Sequence, residues 1–154
     1  NMKTAIEFIV NNMIKEKINT KLIIETPAGQ GTELLTDLNN FIEFFNSFTK
    51  EQQKYLGICL DTAHTWALGY ELDEAYDILF KKNAKNITLI HLNNSLVNKG
   101  DKKDRHATIL NGNIPNGKMN NFIALLKKYK PNIILETPSS SYKEEICHIC
   151  KLLN

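Results

Sequence analysis

The sequence predicts an α/β fold in which parallel strands alternate with helices. Two observations carry this reading. Apolar side chains recur at i, i+3, i+4 and i+7 in five separate segments, the signature of helices with one buried face. Between those segments lie short apolar runs of the kind a strand shows when both its faces are covered. A third observation concerns where the runs stop: each ends on a carboxylate or an imidazole, at Glu25, Asp61, His91 and Glu136. With 154 residues, 42% hydrophobic and 23% charged, the chain can bury one core, and disordered and collagen-like classes are excluded.

The elements follow in order. Ile6, Ile9, Val10 and Met13 mark a first helix, and "KLIIE", ending at Glu25, the first strand. Leu38, Phe41, Ile42 and Phe45 give the second helix and "GICLD", ending at Asp61, the second strand. Leu72, Ala75, Tyr76 and Leu79 lead to "ITLIH", ending at His91; Phe122, Leu125, Leu126 and Tyr129 lead to "NIILE", ending at Glu136. A last helix carries Ile146, Ile149, Cys150 and Leu153, with Ser141 and Glu144 spaced as a capping box. The strand ends fall about 30 to 45 positions apart, which suits the βαβ units of a TIM-type (β/α)8 barrel. No linker divides the chain, so residues 1–154 are expected to form one α/β domain. Four βα units are half of such a barrel, which typically takes about 250 residues. The chain is therefore expected to supply about half of one, completed by a further half or another chain.

Charge and cysteines narrow the field less. A formal net charge of +2 neither supports nor excludes nucleic acid. Three cysteines, Cys59, Cys147 and Cys150, are too few for a disulfide framework and fit a reducing compartment. The C-H-I-C run around His148 has the spacing of half a zinc site or a redox pair, yet it falls on the apolar stripe of the last helix. Packing is the favoured reading, with His148 facing solvent. No apolar run approaches the roughly 20 residues of a membrane span, and "NMKTAIEFIV" lacks the order of a secretory signal. The expectation is an intracellular protein, neither secreted nor membrane-bound.

The strand ends carry the chemistry. In parallel α/β folds, ligands gather at the C-terminal ends of strands. A lone glutamate or histidine there is most often a cap or a satisfied core group. Four ionisable groups converging on one mouth would instead repel and desolvate one another without a cation. His64, three positions after Asp61, and the pair Asp104 and His106 in the surface run "NKGDKKDRH" add further ligand types. Nitrogen and oxygen donors without thiolate suit Zn²⁺, with Mn²⁺ as the alternative. The run "PAGQG" reads equally as a phosphate cradle and as a tight strand-to-helix turn, and Arg105, the one arginine, reads as exposed on its loop.

Taken as a set, "ETPAGQGTEL", "CLDTAHTWALGY", "HLNNS", "DRH" and "LETP" resemble the endonuclease IV family, zinc-dependent apurinic/apyrimidinic endonucleases of DNA repair. The motifs span nearly the whole chain in the family's order and cover the second half of its barrel, so the missing half is the N-terminal half, whose strands carry the family's further histidine ligands of the first zinc. The resemblance implies a barrel holding three zinc ions that cuts double-stranded DNA on the 5′ side of an abasic site, in base excision repair. It further implies that Glu25 bridges the first and second metals and that Asp61, His91 and Glu136 complete the second. His64, Asp104 and His106 then form the third set, and Glu136 also orients or deprotonates the attacking water. The sequence departs from the family at Asn94, where aspartate is usual, at Ala63, where cysteine is common, and at Leu110 in "ILNGNIP", which replaces a glycine-rich run.

The alternative is a xylose-isomerase-like sugar isomerase or epimerase, whose single metal also draws on Glu25, Asp61, His91 and Glu136. It has no evident need of His64, Asp104 and His106 together. A module that grips damaged DNA without cutting is the third reading.

Overall fold

The computed structural model describes the backbone of residues 1–154 and their side chains except at position 82. Four parallel strands form one sheet in the order β1-β2-β3-β6, where β1 is Leu22–Glu25, β2 Leu56–Asp61, β3 Ile87–His91 and β6 Asn132–Ile134. Leu22 pairs with Leu56, Asp61 with His91 and His91 with Ile134, so the sequence order of these strands is their spatial order. This is a run of consecutive βα units, the arrangement of one arc of a TIM-type barrel.

Helices cover one face of the sheet. They are α1 (Met2–Lys15), α2 (Leu38–Asn46), α4 (Leu72–Asn83), α5 (Asn116–Leu126) and α6 (Tyr142–Leu153). Phe41 and Phe45 of α2, Leu79 and Phe80 of α4 and Phe122 and Ile123 of α5 close over Ile58, Leu60 and Ile90. The other face is uncovered at the outer strands, where Ile23 on β1 is 39% and Ile134 on β6 is 46% exposed. Ile23 lies in register with Gly57, Glu25 with Cys59 and Asp61 with His91, so the strand-end carboxylates and imidazole belong to that second face.

Several expectations need correction. The buried stripe of α5 is Met119, Phe122, Ile123 and Leu126, while Leu125 and Tyr129 are turned outward and Tyr129 lies past the helix end. The predicted stripe shares Phe122 and Leu126 with the observed one and is displaced by part of a turn. In α1, Val10 and Met13 are buried but Ile9 is exposed. In α6, Ile149 is buried and Leu153 packs against the core as expected, but Glu145 also turns inward and Ile146, Cys147 and Cys150 are exposed, so packing does not account for the two cysteines of C-H-I-C. His148, expected in solvent, is half-buried and its Nε2 is 2.8 Å from Asn120 Oδ1. Ser141 caps nothing on α6: its hydroxyl donates to the Pro138 carbonyl, so the capping box does not form. The strand β6 ends at Ile134, two residues short of Glu136.

Three short elements have no counterpart in the sequence reading. Helix α3 spans Thr62–Leu68, started by the Asp61 side chain and stopped at Gly69, whose φ of +103° is the left-handed conformation glycine tolerates best. An antiparallel pair, β4 (Asn94–Ser95) and β5 (His106–Ala107), brackets the basic loop. Each is too short to register a period.

Candidate metal centre

Local chemistry at the end of β2 sets the centre. Asp61 is fully buried, and its Oδ1 accepts from His64 N–H at 2.8 Å as the N-cap of α3. Its Oδ2 accepts from the Asn93 amide at 2.8 Å and lies 3.9 Å from His91 Nδ1 and 3.6 Å from His106 Nε2. On the flanking strands, His91 Nδ1 is 2.9 Å from Glu25 Oε1 and 3.1 Å from Glu136 Oε2. Glu25, Asp61, His91 and Glu136 thus each present a ligand atom within 4.8 Å of the others, and so do Asp61, His64 and His106. The two clusters share Asp61. Asp104 joins the second: its Oδ1 is 3.4 Å from His64 Nε2 and 3.0 Å from His106 Nε2. All seven residues singled out in the sequence converge on one end of the sheet.

The donors fit a cation. The ring of His64 places Nδ1 2.8 Å from the Thr26 carbonyl, which only accepts, so Nδ1 carries a proton and the neutral ring has its lone pair on Nε2. That nitrogen is buried with no hydrogen-bond partner, as is Nε2 of His106, and both face the same Asp104 oxygen. Two unpartnered ring nitrogens around one carboxylate oxygen are the arrangement a metal ion resolves. Titration tells the same story. Burial raises the Asp61 carboxyl above its ordinary range against the pull of His64 and His106, and burial likewise raises Glu25 against His91 and His64. At His64 burial acts downward, but Asp61, the Thr26 carbonyl and Asp104 outweigh it and the net shift is upward.

Cys59 is the one thiol near the cluster, its Sγ within 4.8 Å of ligand atoms of Glu25 and His91. Burial, aided by Glu25, pushes it far above the usual thiol range, so it is a neutral wall rather than a thiolate.

Three positioning residues escaped the sequence reading. Asn93, fully buried, donates through Nδ2 to Asp61 and, at 3.3 Å, to Glu136 Oε2, while its Oδ1 accepts from Glu136 N–H at 2.9 Å. Thr62 holds Asn93 in turn: its hydroxyl donates to the Asn93 carbonyl at 2.6 Å and accepts from Asn93 N–H at 2.9 Å. Thr26 accepts from Asp61 N–H through its hydroxyl at 3.1 Å and from His64 through its carbonyl. Their signal was present as the neighbour of each ligand in "ETP", "DTAH" and "HLNN", but amide and hydroxyl side chains are too common beside strands to stand out.

The remaining motifs also find their places. In "PAGQG" the amides of Gly29 and Gln30 donate to Glu33 Oε2 at 2.8 and 3.1 Å, so the run is a turn closed by its own carboxylate. Gln30 Oε1 accepts from Asp104 N–H at 3.1 Å and ties this turn to the second cluster. Asn94 is buried behind the site, bonded through Nδ2 to the carbonyls of Ile109 and Ile114 and through Oδ1 to Ile114 N–H. It braces the loop that carries Leu110. Arg105 is exposed, its guanidinium donating to the Asp104 carbonyl.

Comparisons with known proteins agree with this architecture. A family described as "Xylose isomerase-like TIM barrel" matches residues 2–152. A Clostridium botulinum (strain Alaska E43) protein named "Probable endonuclease 4" is 33% identical over 154 residues, covering 94% of this chain and 55% of its own. The apurinic-apyrimidinic endonuclease 1 of Plasmodium falciparum is 34% identical over 158 residues, covering 93% of this chain and 26% of its own. Endonuclease IV from Thermus thermophilus superposes with a TM-score of 0.72 over 96% of this chain and 54% of its own, at 22% identity, a likeness of fold. The chain spans about half the length, or less, of the curated relatives it matches. With its strand order, its helical cover and this match over nearly its full length, the chain belongs to the xylose isomerase-like TIM barrel family, among relatives named as endonucleases 4.

Proposed function

We propose that this chain is the metal-bearing half of an endonuclease that hydrolyses the DNA backbone on the 5′ side of apurinic or apyrimidinic sites in duplex DNA. The observation that carries the reading is the second cluster, His64, Asp104 and His106, set against the first across a shared Asp61. The four residues of the first cluster alone would serve a sugar isomerase equally well. A phosphodiester needs charge neutralised on both sides of phosphorus, and the second cluster supplies that further place.

Glu25, Asp61, His91 and Glu136 would hold one zinc ion and His64, Asp104 and His106 another, and Glu25, with a side chain 38% exposed, would also serve a third. When bound, zinc supplies a water of lowered pKa and a sink for charge on the phosphate and the departing O3′. The protein's own part is orientation. Asp61 and Asn93 fix the floor of the site, and Glu136, with a side chain 41% exposed at the mouth, can accept a proton from an attacking water. The Thr26 carbonyl keeps Nε2 of His64 aimed inward. The strands β1 and β6 each have one unpaired edge, and a second four-stranded half would pair with both and cover Ile23 and Ile134.

The test is zinc content and incision together. Elemental analysis of the chain beside His106→Ala should show more than one ion in the first and one fewer in the second. With the other half of the barrel supplied, a duplex carrying one tetrahydrofuran abasic analogue should be nicked by the wild type and at least about a hundredfold more slowly by His106→Ala. A single ion unaffected by His106→Ala would move the isomerase reading ahead; tight binding of abasic duplex without metal-dependent nicking would leave a binding module.

A further inference from the structure

We infer that Glu145 is a positioning residue of the metal centre, fixing the segment that bears Glu136 against the segment that bears His106. The inference rests on the function proposed above in treating those two side chains as a working pair. Glu145 lies in the first turn of α6, only 1% exposed. Both of its oxygens are engaged: Oε1 accepts from Ile109 N–H at 2.7 Å and Oε2 accepts from the Thr137 hydroxyl at 2.7 Å. Among the described residues it has no ion-pair partner.

A carboxylate kept from water without a counter-charge is costly, and a buried apolar side chain of similar volume would stabilise the fold as well or better. What an apolar side chain cannot do is accept from two segments at once. Thr137 immediately follows Glu136, and Ile109 stands three residues after His106, whose Nδ1 is 3.9 Å from Glu136 Oε2. The sheet does not position Glu136, because the ladder of β6 stops at Ile134. On the far side, Asn94 holds the Ile109 carbonyl at 3.0 Å, so that residue is fixed through its N–H by Glu145 and through its carbonyl by Asn94. Glu145 is the point where α6 reaches both segments.

The test compares Glu145→Ala, Glu145→Gln and Ile149→Ala with the wild-type chain, by long-range imidazole ¹⁵N–¹H spectra of the metal-free protein and by zinc titration against a competing chelator. Glu145→Ala is expected to move the His106 resonances, leave those of His64 in place, and weaken zinc by roughly 10–100-fold, as loss of an outer partner does. Glu145→Gln should restore both, because its carbonyl accepts from Ile109 while its amide donates to the Thr137 hydroxyl. Ile149→Ala should lower the melting temperature and change neither readout. If Glu145→Ala melts lower with the His106 spectrum and zinc affinity of the wild type, Glu145 is structural only and the inference falls. Should Glu145→Ala not fold, Thr137→Val removes one arm alone, and unchanged His106 signals and zinc affinity there overturn the inference as well. A wild-type chain that takes up no zinc sinks the proposed function and leaves the His106 spectrum to decide this one.

Discussion

Glu25, Asp61 and His91 stand at the ends of paired strands, whereas His64, Asp104, His106 and Glu136 stand on a short helix, a loop, a two-residue strand and the run beyond β6. The first group is held by the backbone ladder, which fixes spacing and direction whatever the side chain. Of the second, three are held by single side chains, Asp61 for His64, Gln30 for Asp104 and Asn93 for Glu136, while His106 rides on the two-residue β4–β5 pair. One centre is therefore assembled from a rigid row and a set of individually fastened pieces. The two kinds of support should fail in different ways.

The largest effect is expected where the two groups meet. Asp61→Ala removes a ligand type from both clusters, unties the start of α3 and leaves the Asn93 amide only its 3.3 Å bond to Glu136. Zinc should be lost from both clusters, beyond the roughly 10–100-fold that outer partners cost, as elemental analysis will register. Retention of either ion would break the view that Asp61 is shared.

Zinc itself should reverse the pH dependence of stability. Glu25 and Asp61 have raised carboxyl pKa values without an ion, so the folded form holds their protons more tightly, and metal-free stability from them rises as pH falls from neutral. The raised pKa of His64 contributes stability that is fully present below its unfolded value and is lost as pH rises through the folded one. A metal competes with all of these protons. The gain in stability on adding a fixed concentration of zinc, read from melting curves, should therefore be larger at pH 8 than at pH 5.5, and about 2.7 kcal/mol per ion where zinc stands at a hundred times its Kd. Equal gains at both pH values would contradict the assignment of these groups as ligands.

Asn93→Ala tests the fastened group alone. It should weaken zinc by roughly 10–100-fold and destabilise by about 1–3 kcal/mol, the range for a buried polar group left unpaired, as measured by titration and denaturant melts. Gly112→Ala probes the same region at one remove: an added Cβ would sit 2.3 Å from the Asn94 side chain, which is pinned by its bonds to Ile109 and Ile114. About 1–3 kcal/mol of overpacking is expected, with zinc affinity lowered only if the loop moves. Smallest of all, Asp37→Ala should cost about 1 kcal/mol through the N-cap of α2, where Asp37 accepts from Asn40 N–H at 2.9 Å. The Asn40 amide and Tyr70 hold its carboxyl below the usual range, so this contribution is present above the unfolded pKa and fades as pH falls through the folded one. Zinc binding should be unchanged.

The same division explains what could be read in the sequence. An apolar run marks a strand even where one face stays open: only β2 is buried on both faces as expected, and β1 and β6 are not. A charged residue closing such a run is conspicuous, so Glu25, Asp61 and His91 are legible together with their elements. Glu136 was legible as a residue but not as a position, because the apolar run "NIILE" outlasts the ladder that ends at Ile134. Helix phase slipped by part of a turn in α5 and α6: Phe122, Leu126 and Ile149 turn inward as expected, while Leu125, Ile146 and Cys150 do not. The pieces invisible beforehand, Asn93, Thr26, Thr62 and Glu145, act through individual hydrogen bonds to residues elsewhere along the chain. No local pattern encodes such a contact.

Helix α3 has seven residues, fewer than the roughly 12–15 an isolated helix needs to persist in water. Its first turn hangs on the Asp61 carboxylate and carries His64, and its last residues give carbonyls to Gly100 and Lys102 of the loop that delivers Asp104. Amide hydrogen exchange along residues 62–68 is thus a direct gauge of the centre's integrity, since any opening of this helix releases His64 and slackens the Asp104 loop in the same motion. An ion at the centre would slow that exchange without touching a single amide of the helix.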